Sequence, residues 1–309
     1  RLRVARPFAF LALMSLQAFT LIILAGLIHS GWNIVAKKAG GDARFSLYVS
    51  VFNALIWAPL GWWLGRDVVP GWGWMEWGFV TASALLHVAY FVVLLRGYRV
   101  ADLTVVYPLA RGSGPLISSL VAVLFLGEQI STLGAAGIAG VVLGVFLIAG
   151  GPRMILAIRE GQNAEARQRV LAGLYYGLLT GMFIAAYTVV DSYAVKMLLM
   201  SPILVDYVGN LIRLLVLAPL AVQDWSETRR LWRVQWRYAA LVAFFSPIAY
   251  VLVLYAVQSA PISHVAPARE VSMLFAALIG GKLLGEGDRG LRIAGAIMIA
   301  LGVTALGLG

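Results

Sequence analysis

The amino-acid sequence predicts an all-α integral membrane protein with ten transmembrane helices in two inverted five-helix repeats. Three observations carry this reading: the composition, the even spacing of apolar runs, and an internal repeat at a nearly constant offset. The chain of 309 residues is 61% hydrophobic and 12% charged, with a mean hydropathy of +0.88. A soluble fold with so few charges would expose most of its apolar side chains, whereas a bilayer accepts them in runs of about 20 residues. The net charge of +10 would suit a nucleic-acid partner in a soluble protein. Here the basic residues sit in short loops between apolar runs, so the partner they imply is the lipid bilayer and not nucleic acid. The chain has no cysteine, which excludes disulfides, thiolate metal sites and a cysteine nucleophile.

The elements follow in order. The basic start RLRVARPFAFLALM resembles a signal-peptide n-region, but no small-residue cleavage site follows, and it reads as a juxtamembrane lead into helix 1. Helix 1 (15–36) carries His29, Trp32 and Asn33. Helix 2 (45–64) runs into a tryptophan cluster (Trp57, Trp62, Trp63, Trp72, Trp74, Trp77) that reads as a headgroup-level belt before helix 3 (75–95). Helix 4 (103–126) holds Arg111 among Pro108, Gly112, Gly114 and Pro115, and helix 5 (132–149) is rich in glycine. The polar stretch 150–169 is the one long connection, and it divides the chain into a first repeat (15–149) and a second (170–308). Helices 6 (170–198), 7 (201–222), 8 (238–257), 9 (262–284) and 10 (291–308) complete the second repeat.

The repeat is legible residue by residue. LARGSGPLISSLVAVLFLGE (109–128) lies over PAREVSMLFAALIGGKLLGE (267–286) at an offset of 158, matching Arg111 with Arg269 and Glu128 with Glu286. Gly137 and Gly144 fall on Gly295 and Gly302 at the same offset, while Ala58-Pro59-Leu60 meets Ala218-Pro219-Leu220 and Ala89-Tyr90 meets Ala249-Tyr250 at 160. The slip of two residues falls in a loop, where insertions are tolerated. An odd number of spans per repeat inverts the second copy, an architecture that favours transport because two near-equivalent halves give two near-equivalent states. Sixteen Lys and Arg lie in the odd-numbered loops, five on the opposite side (Arg1, Arg3, Arg6, Arg66, Lys196) and three within spans (Arg111, Arg213, Arg269). The positive-inside rule makes the odd loops cytoplasmic and places both termini outside, with the three N-terminal arginines arguing the other way.

At the repeated element the run VVYPLARGSGPLISSLVAVLFLGEQISTLGAAGIAGVVLGVFLIAG resembles the end of an EamA domain of the drug/metabolite transporter superfamily. APAREVSMLFAALIGGKLLGEGDRGLRIAGAIMIALGVTALG resembles a second copy, and the likeness covers nearly the whole chain after about Ala18. The resemblance implies ten helices around a central cavity, solute contacts from helices 1–4 and 6–9, peripheral helices 5 and 10, and a bacterial inner (cytoplasmic) membrane. The four-helix multidrug members of the superfamily carry a carboxylate in their first helix. Helix 1 here has none, which argues against proton-coupled export of lipophilic cations.

Arg111 and Arg269 each lie about eight residues into a helix, or about 12 Å, near the centre of a hydrocarbon layer of about 30 Å. A central arginine costs about 2.5–3.5 kcal/mol, so each should face a cavity or a carboxylate. Together they would form a cradle for a carboxylate, phosphonate or phosphate; the alternative is an internal ion pair with Glu270, Asp206 or Asp191. In helix 7, Asp206, Asn210 and Arg213 share one face at i, i+4, i+7 spacing and read as a cavity-lining stripe. Trp32, Asn33, Tyr90, Tyr187 and Tyr250 are further solute-contact candidates, with helix packing as the plainer role for the aromatics. Glu270, Asp206, Arg213 and Asp191 are the proton-coupling or gating candidates. Glu128 and Glu286 read as structural turns into helices 5 and 10. His29, His87 and His264 show no metal-ligand spacing, and no metal or cofactor is expected. The glycines of helices 5 and 10 suit close packing or pairing of two chains into a homodimer.

The function expected is a secondary transporter or exporter of small polar metabolites, amino acids or other carboxylate- or phosphonate-bearing solutes, working by alternating access. A broad drug or multisolute exporter is the alternative within transport. A membrane-embedded lipid-handling enzyme is the alternative from another class, and the sequence holds no nucleophile-base pair or metal cluster for it.

Overall fold

A computed structural model of the chain describes residues 14–40, 43–101, 103–149, 155–156, 164–283 and 289–309. Most of the polar linker and Glu286 lie outside them. Every regular element among the described residues is helical: α1 (Leu16–Lys38), α2 (Ala43–Ile56), α3 (Ala58–Gly65), α4 (Trp74–Val100), α5 (Leu103–Leu124) and α6 (Thr132–Ile148) before the linker. After it come α7 (Ala164–Lys196), α8 (Pro202–Leu217), α9 (Pro219–Gln223), α10 (Trp225–Ser259), α11 (Ile262–Ala268), α12 (Val271–Leu283) and α13 (Arg289–Leu308). Six helices are individually long and apolar enough to cross a membrane, or seven if α2 and α3, bent by 58°, count as one span.

Sequence explains the ends. Ser15 caps α1 by accepting from the Ala18 N–H, and Ser131 caps α6 through Gly134. Glu76 reaches back to the Gly73 N–H at the start of α4. α10 begins at Trp225, well before the apolar run that sequence places at 238. Asp224 caps it through the Glu227 N–H, and Arg230 pairs with Glu227 one turn on, so a polar helix precedes the apolar one. Hydropathy registers only the second part.

Three expected helices are interrupted, each at a proline. Pro59 and Pro219 sit in the first turns of α3 and α9, so the Ala-Pro-Leu repeat marks the same break in both halves. The third break, at Arg269 and Glu270, separates α11 from α12 just after Pro267, whereas α5 runs through Arg111 despite Pro108 and Pro115.

A helical proline deprives the carbonyl four residues earlier of its donor. Ser119 Oγ donates to the Ser263 carbonyl that Pro267 frees, at 3.1 Å. Trp57 Nε1 donates to the Ala243 carbonyl that Pro247 frees, at 3.0 Å. This corrects the place given to Trp57 in the tryptophan belt: at the α2–α3 joint its indole turns inward. Trp62, Trp63, Trp74 and Trp77 are exposed, as a belt requires.

The bundle is apolar outside, and its largely apolar interior also holds charged and polar side chains. Leu55, Leu124, Leu171, Leu215 and Leu301 are exposed while Asp191, Asn210, His264 and Glu270 are buried. That is the polarity of a protein whose solvent is lipid. Helix α1 packs against α10 and α12, and α7 against α4 and α5; α2 packs on α10, and α8 on α4. α6 and α13 pack on each other over their whole length. A Cβ on Gly144 would lie 2.6 Å from the Gly295 carbonyl oxygen, and one on Gly137 would lie 2.8 Å from that of Gly302, with the reverse contacts as close. These glycines therefore serve close packing within one chain, and their faces are covered.

Glu128 does more than turn the chain into α6. Gly127, at φ 71°, supplies the left-handed turn after α5. Beyond that turn the buried Glu128 carboxylate reaches across the bundle and accepts the N–H groups of Ile262 (2.8 Å) and Ser263 (2.9 Å), the orphan donors at the start of α11.

Candidate functional site

A cavity of about 280 Å³ lies where α1, α2, α4, α5, α7, α8, α10 and the α11–α12 joint meet. Of the residues singled out from sequence, Trp32, Asn33, Tyr90, Arg111, Tyr187, Asp206, Asn210, Arg213, Tyr250, Arg269 and Glu270 all line it. Asp191 stands behind the wall, fully buried, and accepts the Tyr250 hydroxyl proton on Oδ2.

The break after α11 determines the electrostatics. Glu270, 2% exposed, projects from the joint between the two arginines: Arg111 Nη2 lies 2.7 Å from Oε2, and Arg269 Nε lies 3.7 Å from Oε1. The cradle expected from sequence is thus bridged by a carboxylate of the protein, because the adjacent Arg269 and Glu270 both face the cavity where helical geometry lapses. Asp206 pairs instead with Arg213, whose guanidinium folds back two turns along α8 to within 3.3 Å of Oδ1. Asn210, between them, donates to the Ser50 carbonyl at 3.1 Å and ties α8 to α2.

Aromatic rings form the facing wall. His87 stacks on Tyr187 with centroids 4.0 Å apart, and Tyr90 and Tyr250 meet this pair edge-on. The Arg269 guanidinium sits 5.8 Å from the Tyr187 ring centre, a cation–π contact that holds it beside Glu270. His29 packs edge-on against Trp32 at 4.6 Å, and Asn33 donates back to the His29 carbonyl.

Several lining residues were not singled out as solute contacts: Ser50, Asn53, Ser246, Ser272, His29 and His87. Spacing in the sequence tests the two histidines only as metal ligands, and among the described residues no three His, Asp or Glu side chains gather as a metal site. Their common signal was a polar side chain inside an apolar run.

Four buried polar atoms of the lining have no hydrogen-bond partner in the protein: the donors Trp32 Nε1 and Arg111 Nε, and the acceptors Asn53 Oδ1 and Glu270 Oε2. Glu270 Oε2 is close to Arg111 but not aligned for a hydrogen bond. Buried polar groups are otherwise nearly always paired, so such a cluster suits something that binds.

Two further cavities adjoin. One of about 610 Å³ shares Asn33, Tyr90, Arg111 and Ser272 with the central cavity and extends to Lys37 and Arg292. Another, of about 180 Å³ and mostly apolar, adjoins at Asn53, Asp206 and Pro247.

Residues 16–150 and 171–308 both match the EamA-like transporter family. The chain belongs to this family. It is an integral, multi-pass EamA-like membrane transporter of the drug/metabolite type. A solved protein crystal structure superposes on this EamA-like chain with a TM-score of 0.70, over 94% of this chain and 97% of its own, at 16% identity; the likeness is one of fold. No curated protein matches it.

Proposed function

We propose that this transporter moves small zwitterionic or anionic metabolites, amino acids above all, by alternating access between two inverted five-span halves in a bacterial inner membrane. The observation that carries the reading is the set of unpartnered atoms in the central cavity. The donors of Trp32 and Arg111 suit a carboxylate or phosphonate, and the acceptors of Asn53 and Glu270 suit an ammonium group. A lipophilic cation would leave the donors unsatisfied, at about 1–3 kcal/mol each. A volume of about 280 Å³ fits a metabolite of amino-acid size.

Packing supports the two-halves reading: α1 relates to α10 and α12 as α7 does to α4 and α5, and the α6–α13 contact is its own counterpart. Lys37 and Arg292 at the wide cavity lie on the side richest in basic residues, which supports reading that side as the cytoplasmic one. In the proposed cycle the solute's acidic group competes with Glu270 for Arg111. The displaced Glu270 then turns to the solute's ammonium group or to Arg269, or takes a proton, and the Asp206–Arg213 and Asp191–Tyr250 pairs gate the opposite side.

The test is flux into proteoliposomes of purified wild type beside Arg111→Gln, Arg269→Gln and the charge-balanced pair Arg111→Gln with Glu270→Gln. Saturable amino-acid flux is expected, with competition lost when the amino group is acetylated or the carboxylate esterified. The arginine variants should lose at least tenfold in flux, and the balanced pair should fold yet not transport. Flux of neutral or cationic solutes that survives all the substitutions would refute the proposal.

A further inference from the structure

The apolar cavity of about 180 Å³ beside the centre lies between two helix defects. Pro59 starts α3 at 58° to α2, and Pro247 interrupts the hydrogen bonding of α10. Trp57, Leu60, Ile203, Tyr207, Val251 and Leu252 line the space. A Cβ on Gly61 would lie 2.3 Å from the Tyr207 ring, so glycine is what lets that ring approach α3.

The wall beyond the neck offers an occupant no hydrogen bond. The Trp57 indole N–H donates to the Ala243 carbonyl at 3.0 Å, and the Tyr207 hydroxyl donates to the Ala54 carbonyl at 3.3 Å. Leu55, Ile56, Phe244 and Phe245 on the same helices are exposed, whereas every lining residue is buried or half-buried, so the cavity belongs to the interior. A dry apolar cavity of roughly 150 Å³ takes up a ring the size of benzene.

Polar groups gather at the neck, where Asn53, Asp206 and Pro247 are shared with the central cavity. Asp206 is engaged by Arg213, and Asn53 Oδ1 is an unpartnered acceptor that suits an ammonium group. In an α-amino acid the ammonium nitrogen and the side chain hang from the same carbon. An ammonium group held at Asn53 therefore presents the side chain at the neck and leaves the carboxylate in the central cavity.

We propose that this cavity is a side-chain subsite, which selects amino acids with branched aliphatic or aromatic side chains over small or polar ones. The inference rests on the proposed preference for zwitterionic solutes. Each further CH2 buried favours binding by about fourfold, and a polar side chain of the same size would lose its water there without gaining a partner.

The experiment measures KM for labelled L-alanine, L-leucine, L-phenylalanine and L-asparagine in proteoliposomes of wild type, Val251→Phe and Val251→Ala. Val251 lines this cavity and not the central one. In wild type, leucine and phenylalanine should show KM values at least tenfold below those of alanine and asparagine. Val251→Phe fills the cavity and should raise KM for leucine and phenylalanine at least tenfold, with alanine within twofold, which also shows that the variant is folded. Val251→Ala enlarges the cavity and should favour phenylalanine over leucine by at least a further threefold; it decides the matter if the bulky variant does not fold, and an unchanged ratio would overturn the subsite. Wild-type KM values within twofold across the series would overturn it while leaving amino-acid transport standing. So would a Val251→Phe protein in which all four values rise together, or one in which none changes while a co-purified lipid is lost, since the occupant would then be an acyl chain. Transport of organic acids without amino acids would overturn this inference alone, and a wild type that carries no anionic or zwitterionic solute sinks it together with the reading it rests on.

Discussion

Replacing Glu128 by glutamine changes one atom's chemistry and should cost this protein a large part of its stability. The carboxylate accepts the N–H groups of Ile262 and Ser263 at 2.8 and 2.9 Å in a site only 4% exposed. Glutamine keeps one acceptor oxygen and turns an NH2 group toward the other amide. One bond therefore survives without charge assistance, and one buried N–H is orphaned. The orphan costs about 1–3 kcal/mol. Losing the charge on the remaining bond adds about 1 kcal/mol, since charge-assisted bonds are roughly twice as strong as neutral ones. The sum of about 2–4 kcal/mol corresponds to a factor of roughly 30 to 1000 in the unfolding equilibrium. Glu128→Ala orphans both donors and should cost more. Reversible unfolding of the purified protein in mixed micelles with rising SDS, followed by tryptophan fluorescence, reads the difference directly. A penalty below about 0.5 kcal/mol for both variants would refute the reasoning, because two buried backbone donors cannot lose their acceptor so cheaply unless water reaches them.

Two other outcomes follow from local geometry. Gly144→Ala should be markedly destabilising, by about 1–3 kcal/mol, because its Cβ would sit 2.6 Å from a backbone oxygen that cannot rotate away. Gly140→Ala, whose Cβ meets its nearest neighbour at 3.4 Å, should be nearly neutral in the same unfolding assay. At the extramembranous start of α10, Asp224 holds its carboxyl below the usual aspartate range, chiefly by accepting the Glu227 N–H and then the Ser226 hydroxyl. A depressed value means the cap is complete above the ordinary aspartate pKa of about 4 and is lost as pH falls through the lowered one. Protection of the Glu227 amide, corrected for intrinsic exchange, should hold from pH 8 to 5 and drop only in strong acid; Asp224→Asn should remove the drop.

What could be read from sequence was set by hydropathy and by rarity. Apolar runs locate helices because lipid tolerates little else, and the scarcity of charge made Arg111, Arg213, Arg269, Asp191, Asp206 and Glu270 conspicuous. All but Asp191 meet at one cavity, since a polar group in a span has nowhere else to go. Glu270, Asp206 and Asp191 are legible as candidate ion-pair partners, but which carboxylate meets which arginine is not. Glu270 adjoins Arg269 in the chain yet sits closest to Arg111 of the other half, and that contact exists because the helix lapses at the α11–α12 joint. Pro267 hinted at a lapse there, but the same signal at Pro108 and Pro115 left α5 continuous, so proline alone does not decide it. Trp57 and Ser119 were opaque for a related reason: each answers a carbonyl freed by a proline on a different helix, and neither pairing has a local trace. The polar first half of α10 was missed because a hydropathy window cannot distinguish a loop from a helix that has left the membrane.

Glu270 bears on how such a carrier returns empty. A transporter by alternating access must change face both with and without its solute, and an arginine exposed to a dry, occluded centre without a counter-charge would make the empty passage prohibitive. In the state described, Glu270 supplies that counter-charge from within, 2.7 Å from Arg111. On the proposed reading a solute carboxylate replaces Glu270 at Arg111, and the displaced glutamate must itself be neutralised: by the solute's own ammonium group where it has one, and for a purely anionic solute by Arg269 or by a proton. If Arg269 suffices, an anionic solute lowers the net charge of the centre by one and the carrier runs downhill without a coupling ion. If a proton is needed, each turnover of anionic solute is tied to one proton at Glu270. The longer 3.7 Å separation of Arg269 from Glu270 marks it as the weaker partner in this state, with its guanidinium also held against Tyr187. That inequality favours the second case, because a displaced Glu270 would gain less from Arg269 than it loses at Arg111.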